Sequence, residues 1–313
     1  MRLVTYRQGG AIRLGAVIGD QVLDLVKRAS ETDVADWPED LDMVGLLRLG
    51  PSAREKAKQV VAAGETGLRL GGGDRLRSRG VLQPLKAVKL MAPVPNPSKV
   101  IAIGLNYRDH AREQKEEIPD RPIIFAKFST AVIGPGAAIT WDPELTQKVD
   151  YEAELAFVVG KAARNVRPED AYGYIAGYTC VNDVSARDLQ FGDKQWVRGK
   201  SLDTFCPMGP ALVTVDEVPN PHRLGIRAVL NGRVMQDSNT RRLIFGVPEL
   251  LSFISRAFTL LPGDVVATGT PHGVGVFRKP PVFLKHGDKI AIEIEGIGRL
   301  ENVCRTVKGP GSA

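Results

Sequence analysis

VDYEAELAFVVG, running from Val149 to Gly160, is the stretch that decides the fold. It reads as a β-strand with an apolar tail. A strand places residues i and i+2 on one face, so Ala153, Leu155 and Phe157 point to the core and Glu152 and Glu154 lie together on the opposite face. Two carboxylates side by side destabilise each other. Solvation on an edge strand or pairing with basic residues would relieve them. A hard divalent cation would do so too, because it takes carboxylate oxygens and keeps positions open for water or substrate. A third acid is then expected from a neighbouring strand. GYTCVNDVSARD supplies Asp183, which ends an apolar run, and Asp188 five residues later. If DVSARD is a helical turn, Arg187 lies four residues from Asp183 and pairs with it.

Outward from this strand the chain is rich in short β runs: KVIAIG, PIIFAKF, GYTCVND, PALVTV, IRAVLNGRVM, DVVATG and KIAIEIEGIG. Asn231-Gly232 marks a hairpin turn. Helical signals are fewer: Asn106 to Glu117, Pro168 to Tyr172 and Pro248 to Phe258. This is β-rich α+β organisation, not a regular βαβ alternation. MAPVPNPSKV carries three prolines and marks a boundary near residue 93. We expect an N-terminal domain over 1–92 and a catalytic domain over 93–313. The smaller domain reads as two short strands with turns at Gly9-Gly10 and Gly19-Asp20, then helices, one starting at Pro51 and stopping at Gly64. GGGDRLRSRG reads as a flexible loop.

The chain has 313 residues, 43% of them hydrophobic and 25% charged, which is ordinary for a globular protein. LLSFISRAFTLLPGD is broken by Arg256 and too short to span a bilayer. The N-terminus has neither a signal-peptide core nor an Arg/Ser-rich leader, so the cytoplasm is expected. Cys180, Cys206 and Cys304 are widely spaced and read as buried free thiols, not as a disulfide framework or zinc site. The net charge of +6 admits an anionic partner. Basic and acidic residues are mixed and aromatics make up only 6%, so a small anionic substrate is expected and nucleic acid is not.

DYEAELAFVVGK, VNDVSARD, KQWVRGKSLDTFCPMGPALV and ATGTPHGVG, in that order, resemble the fumarylacetoacetate hydrolase superfamily from about residue 97 onward. GVGVFRKPPVFLKHGDKI resembles the subgroup of mitochondrial oxaloacetate tautomerases. Without a mitochondrial leader, the chain looks like a bacterial counterpart. The resemblance implies a mixed β-sheet roll, or pseudo-barrel, as the catalytic domain. It also implies a homodimer. It gives the metal to Glu152, Glu154 and Asp183, with Mg²⁺ as the ion and Mn²⁺ as substitute because all the ligands are hard oxygens. Lys200 matches the family's active-site lysine. Gln190 and Thr270 match substrate-binding positions, and Lys127 a further pocket-wall position. His272 is at most a pocket edge. His110 and Glu113 share a helical face. The resemblance makes them a proton-moving pair on a segment that closes over the substrate, with Glu113 orienting His110.

A metal that polarises a 2-oxo group favours loss of the C3 proton and breakage of the C3–C4 bond alike. Three outcomes follow for a small 2-oxo acid: keto–enol interconversion of oxaloacetate, hydrolysis of an acylpyruvate, or decarboxylation of oxaloacetate. The subgroup resemblance favours the first. A non-catalytic protein that binds metal and a dicarboxylate is the reading from a different class.

Overall fold

The computed structural model describes residues 1–307. The strand Ala153–Val159 sits inside a 12-stranded sheet, antiparallel to Ile175–Asn182 on one side and to Val265–Ala267 on the other. All of its residues are buried. Its alternate side chains enter two different cores. Leu155 and Phe157 pack with Ile226, Ile292 and Leu300. Ala156 and Val158 pack with Leu46, Leu47 and Val60. The expectation of one core-facing side is therefore half of the arrangement, since the face that carries Glu154 is covered too. A strand covered on both faces reads as a continuous apolar run, as AFVV does. Each such Leu, Phe or Val contributes roughly 1.5–3 kcal/mol by leaving water.

The first core lies between this sheet and a second, five-stranded one. The order there is Arg233–Asn239, Gly225–Leu230, Lys289–Ile294, Gly298–Thr306 and Ala138–Trp141. The helix Val247–Ala257 closes it with Leu250, Leu251 and Ile254. Asn231 and Gly232 have φ of 51° and 81°, the positive pair that a two-residue hairpin turn requires, as the sequence indicates. Among the described residues no helix is long and apolar enough to cross a membrane.

The N-terminal strands Arg2–Gln8, Ala11–Ile18 and Gln21–Asp24 extend the large sheet, because Arg2–Gln8 pairs with Cys206–Thr214. Two local expectations are corrected here. The helix that starts at Pro51 runs through Gly64 to Arg69. Gly64 is buried in it, and a Cβ there would lie 2.7 Å from a methyl of Leu23, so this glycine permits close packing on the sheet and does not end the helix. GGGDRLRSRG contains a helix, Gly73–Ser78, anchored by the buried Leu76.

Candidate active site and metal-ligand cluster

The register that pairs Ala153 with Asn182 brings the next residues, Glu152 and Asp183, opposite each other. The Asp183 N–H donates to the Glu152 carbonyl (2.9 Å), and the Glu152 N–H to the Asn182 side chain (3.0 Å). Glu154 is on the strand itself. The three carboxylates offer oxygens that all lie within 4.8 Å of one another, and all three residues are buried. Like charges at such positions oppose folding unless something compensates them.

The compensation is uneven. Lys200 Nζ reaches Glu152 Oε2 at 2.8 Å and Asp183 Oδ2 at 2.7 Å. Arg187 pairs with Glu152 Oε1 at 2.7 Å. Burial raises the Glu152 carboxyl, but Lys200 and Arg187 outweigh it and hold it well below the usual carboxylate range. Burial works against the Lys200 ammonium too, yet Asp183 and Glu152 keep its pKa above the ordinary value. Glu154 is different. Among the described residues it pairs with no basic group, and its donor is the Gly269 N–H at 2.8 Å. Burial, then Asp183 and Glu152, push its carboxyl well above the usual range. An under-compensated buried carboxylate beside two others, all hard oxygen donors, fits a divalent cation.

Arg187 corrects one expectation. Ser185–Ala186 form a short strand against Val149–Asp150, and the helix begins only at Arg187. This carries Arg187 away from Asp183. Its Nε donates to Asp150 Oδ2 (2.9 Å) and its Nη1 to Gln190 Oε1 (2.9 Å). Asp150 also accepts the N–H groups of Gly275 (2.7 Å) and Val276 (3.0 Å). One buried carboxylate thus ties the loop before Phe277 to the metal-ligand cluster.

Lys127 is a second correction. It is buried behind the cluster and does not line the cavity. Its Nζ donates to Asp183 Oδ1 (2.5 Å), the Val184 carbonyl (3.1 Å) and the Lys200 carbonyl. Strand alternation turns it inward, where it supplies positive charge to Asp183 from the rear.

A cavity of about 310 Å³ opens over the cluster. Glu152, Glu154, Lys200, Gln190 and Thr270 line it together with His110. The Thr270 hydroxyl oxygen accepts from Gln236 Nε2 (2.8 Å). Phe125 and Trp196 form an apolar wall, edge to face with ring centroids 5.4 Å apart. Lys200 Nζ lies 5.2 Å from the centre of the Phe125 ring, a cation–π contact.

His110 stands on the helix Arg108–Gln114. That helix is shorter than the expected 106–117, because Asn106 is spent as an anchor. The Asn106 amide donates to the Thr268 (2.7 Å) and Phe245 (3.1 Å) carbonyls and accepts from the Phe245 N–H (2.9 Å). His110 Nδ1 meets Glu113 Oε2 at 3.0 Å, and Glu113 Oε1 accepts the Gly273 N–H at 2.9 Å. Glu113 thus holds the imidazole and fastens the helix to the loop that carries Phe277. That ring's centre lies 6.1 Å from the centre of His110. His272 is outside the cavity, half exposed against Asp109 (3.2 Å). Sequence reasoning passed over Asp150, Gln114, Phe277, Phe125 and Trp196. Only Arg187 carried a signal, and its partner was misjudged.

Comparison with known proteins agrees with this geometry. Residues 99–305 match the model of the fumarylacetoacetate (FAA) hydrolase C-terminal family. The mitochondrial oxaloacetate tautomerase of Xenopus laevis is 46% identical over 263 residues, which cover 83% of this chain and 82% of that one. A fumarylacetoacetate hydrolase from Exiguobacterium antarcticum superposes with a TM-score of 0.79 at 33% identity, over 98% of this chain and all of that one. The maleylpyruvate hydrolase of Sphingobium sp. SYK-6, solved with manganese(II) and pyruvate, gives 0.74 at 32% identity, over 98% and 100% of the two chains. With the domain match, this degree of likeness and the α+β architecture of two packed sheets, the chain belongs to the fumarylacetoacetate hydrolase family of enzymes.

Proposed function

We propose that the chain is a divalent-metal-dependent tautomerase that interconverts the keto and enol forms of oxaloacetate. One observation carries the reading: Glu152 and Glu154, clustered with Asp183, line a cavity that His110, held by Glu113, also lines. The tautomerase name of a relative similar over four-fifths of both chains supports it. Glu152, Glu154 and Asp183 would hold Mg²⁺, with Mn²⁺ as substitute, and the manganese(II) ion of the maleylpyruvate hydrolase complex supports a metal of this class. Such an ion supplies Lewis-acid polarisation of a 2-oxo group.

The chain's own groups account for the rest. Glu113, when ionised, only accepts hydrogen bonds, so His110 carries its hydrogen on Nδ1 and presents a basic Nε2. In the enol-to-keto direction the O–H proton passes to Nε2 and leaves an enolate. As the oxygen's electron pair closes C2=O, the C2=C3 pair takes a proton at C3 from the imidazolium. No proton is gained or lost overall. Lys200, Lys127 and Arg187 offset the acids, so a dianionic substrate meets a site whose charge is not prohibitive. Because Thr270 Oγ1 already accepts from Gln236, its own hydrogen is left for a substrate carboxylate. Gln190, oriented by Arg187 through its carbonyl, turns its amide NH₂ to the same use.

The test mixes enol-oxaloacetate with enzyme and follows enol absorbance while pyruvate is measured in the same sample, with Mg²⁺ and with chelator. Fast, metal-dependent enol loss with little pyruvate is expected. Pyruvate formed in step with enol loss means decarboxylation. Inertness toward oxaloacetate with rapid acylpyruvate cleavage means a hydrolase. The proposal extends to a cytoplasmic homodimer with domains at 1–92 and 93–313, which cell fractionation, sedimentation and limited proteolysis address. The Xenopus relative is mitochondrial by name.

A further inference from the structure

We propose that Gln114 is a positioning residue that follows the protonation state of His110, its amide donating N–H to the neutral imidazole and, turned over, offering its carbonyl to the imidazolium. The inference rests on the tautomerase reading, in which His110 carries the proton. His110 is 5% exposed, and both of its ring nitrogens are occupied by its own helix. Nδ1 meets Glu113 at 3.0 Å and Nε2 meets the Gln114 amide at 2.6 Å. With Nδ1–H donated to a carboxylate, Nε2 holds a lone pair, so its partner must be a donor. The amide NH₂ meets that need.

Once Nε2 takes a proton, both ring nitrogens donate and an amide N–H facing the ring becomes repulsive. A half-turn about the last bond of the Gln114 side chain exchanges NH₂ for C=O with almost no change of shape. A glutamine can therefore serve both states, which a fixed donor or a fixed acceptor cannot. A proton carrier must both take and return its proton, and this needs a basicity near the working pH. The other charged groups facing His110 are Glu113 and Glu116 from its own segment, and Glu152, Glu154, Arg187 and Lys200 across the cavity. Of these, Glu113 is bonded to Nδ1, and among the described residues only Gln114 is bonded to Nε2, the nitrogen that takes the proton. Gln114 also lines the cavity, so a substrate reaches Nε2 by taking the place of that N–H.

Two variants separate the roles. Gln114→Glu fixes an acceptor at Nε2, and Gln114→Met keeps the length without either hydrogen bond. The His110 ring is followed by NMR in labelled full-length protein with Mg²⁺, and kcat and KM for enol loss are measured over about pH 5 to 9, where general-base profiles are read. In the wild type, the Nδ1–H tautomer is expected. In Gln114→Glu, the carboxylate favours imidazolium, so the ring pKa and the acid limb of the kcat profile should both rise by about one unit or more. In Gln114→Met, kcat should fall roughly tenfold with KM within about twofold, the pattern of a lost transition-state contribution. The inference is overturned if the wild-type ring is the Nε2–H tautomer, if Gln114→Glu leaves the ring pKa in place, or if the variants change KM alone. A wild-type chain that titrates as expected but does not consume the enol removes the tautomerase reading and leaves the His110–Gln114 coupling standing. If Gln114→Met fails to fold, Gln114→Glu and the wild-type tautomer still decide.

Discussion

Replacing Glu154 by Gln tests whether the acid cluster is a metal site. Glu154 is buried, pairs with no basic group among the described residues, and keeps its backbone donor Gly269. Burial and its two acidic neighbours already favour its neutral form without metal. Gln is a neutral isostere of that form, so the metal-free protein should lose less than about 1 kcal/mol, as for a well-fitting substitution without a named defect. The metal response should vanish. A ligand that binds only the folded chain at 100 times its Kd stabilises by about 2.7 kcal/mol. With an unfolding entropy of about 2.1 cal/mol/K per residue, 313 residues give ~0.66 kcal/mol per degree, so Mg²⁺ should raise the wild-type Tm by about 4 °C. The assay is scanning calorimetry at one scan rate, with chelator and with Mg²⁺ at 100 times the Kd measured by titration calorimetry. The expected result is a shift of about 4 °C in the wild type and under about 1 °C in Glu154→Gln, with nearly equal metal-free values. The reasoning is refuted if Glu154→Gln keeps the full shift, or if it melts about 5 °C or more below the wild type without metal.

Lys200→Met leaves Glu152 and Asp183 short of a buried partner, a defect of about 3–5 kcal/mol, so its metal-free Tm should drop by roughly 5–8 °C on the same scale; an unchanged melt contradicts the ion-pair geometry. Glu113→Gln keeps an acceptor for Gly273 but can turn an N–H toward Nδ1 and force the other tautomer, so kcat for enol loss should fall at least about 100-fold, by analogy with a carboxylate-to-amide change beside a catalytic histidine; full activity counts against Nε2 as the base. Gly275→Ala places a Cβ 1.8 Å from the Val282 carbonyl oxygen and 2.6 Å from Asp150, so the loop must shift, and both stability and turnover should fall; a neutral result means the loop does not depend on Asp150. Burial pushes the Cys206 and Cys304 thiols up to about 12 and raises Cys180 further, so none should react with a thiol reagent between about pH 7 and 9 until denaturant is added, because thiolate is absent below the raised pKa.

The sequence by itself determined the β-rich character of the chain, the central strand at Ala153–Val159 and the identity of the acid cluster. These depend on local regularities. A period of two puts Glu152 and Glu154 together, Asn231-Gly232 can make only a tight turn, and ordered motifs carry a family resemblance. The His110–Glu113 pairing was legible for the same reason, because i and i+3 meet within one helix. What the sequence misjudged involves partners far away along the chain. The second face of the central strand is covered by N-terminal helices about a hundred residues earlier. Gly64 looks like a helix stop until Leu23 is packed against it. Arg187 has a suitable acid four residues away, yet the short strand Ser185–Ala186 rotates it to Asp150, 37 positions back. Lys127 was placed near the cluster, but which side of Asp183 it occupies is set by the pairing of Ile123–Lys127 with Val100–Gly104 at the sheet edge. Spacing fixes which side chains share a face of one element. Which face meets which neighbour is fixed only when the sheets close over a common core, and that decides which charges compensate one another.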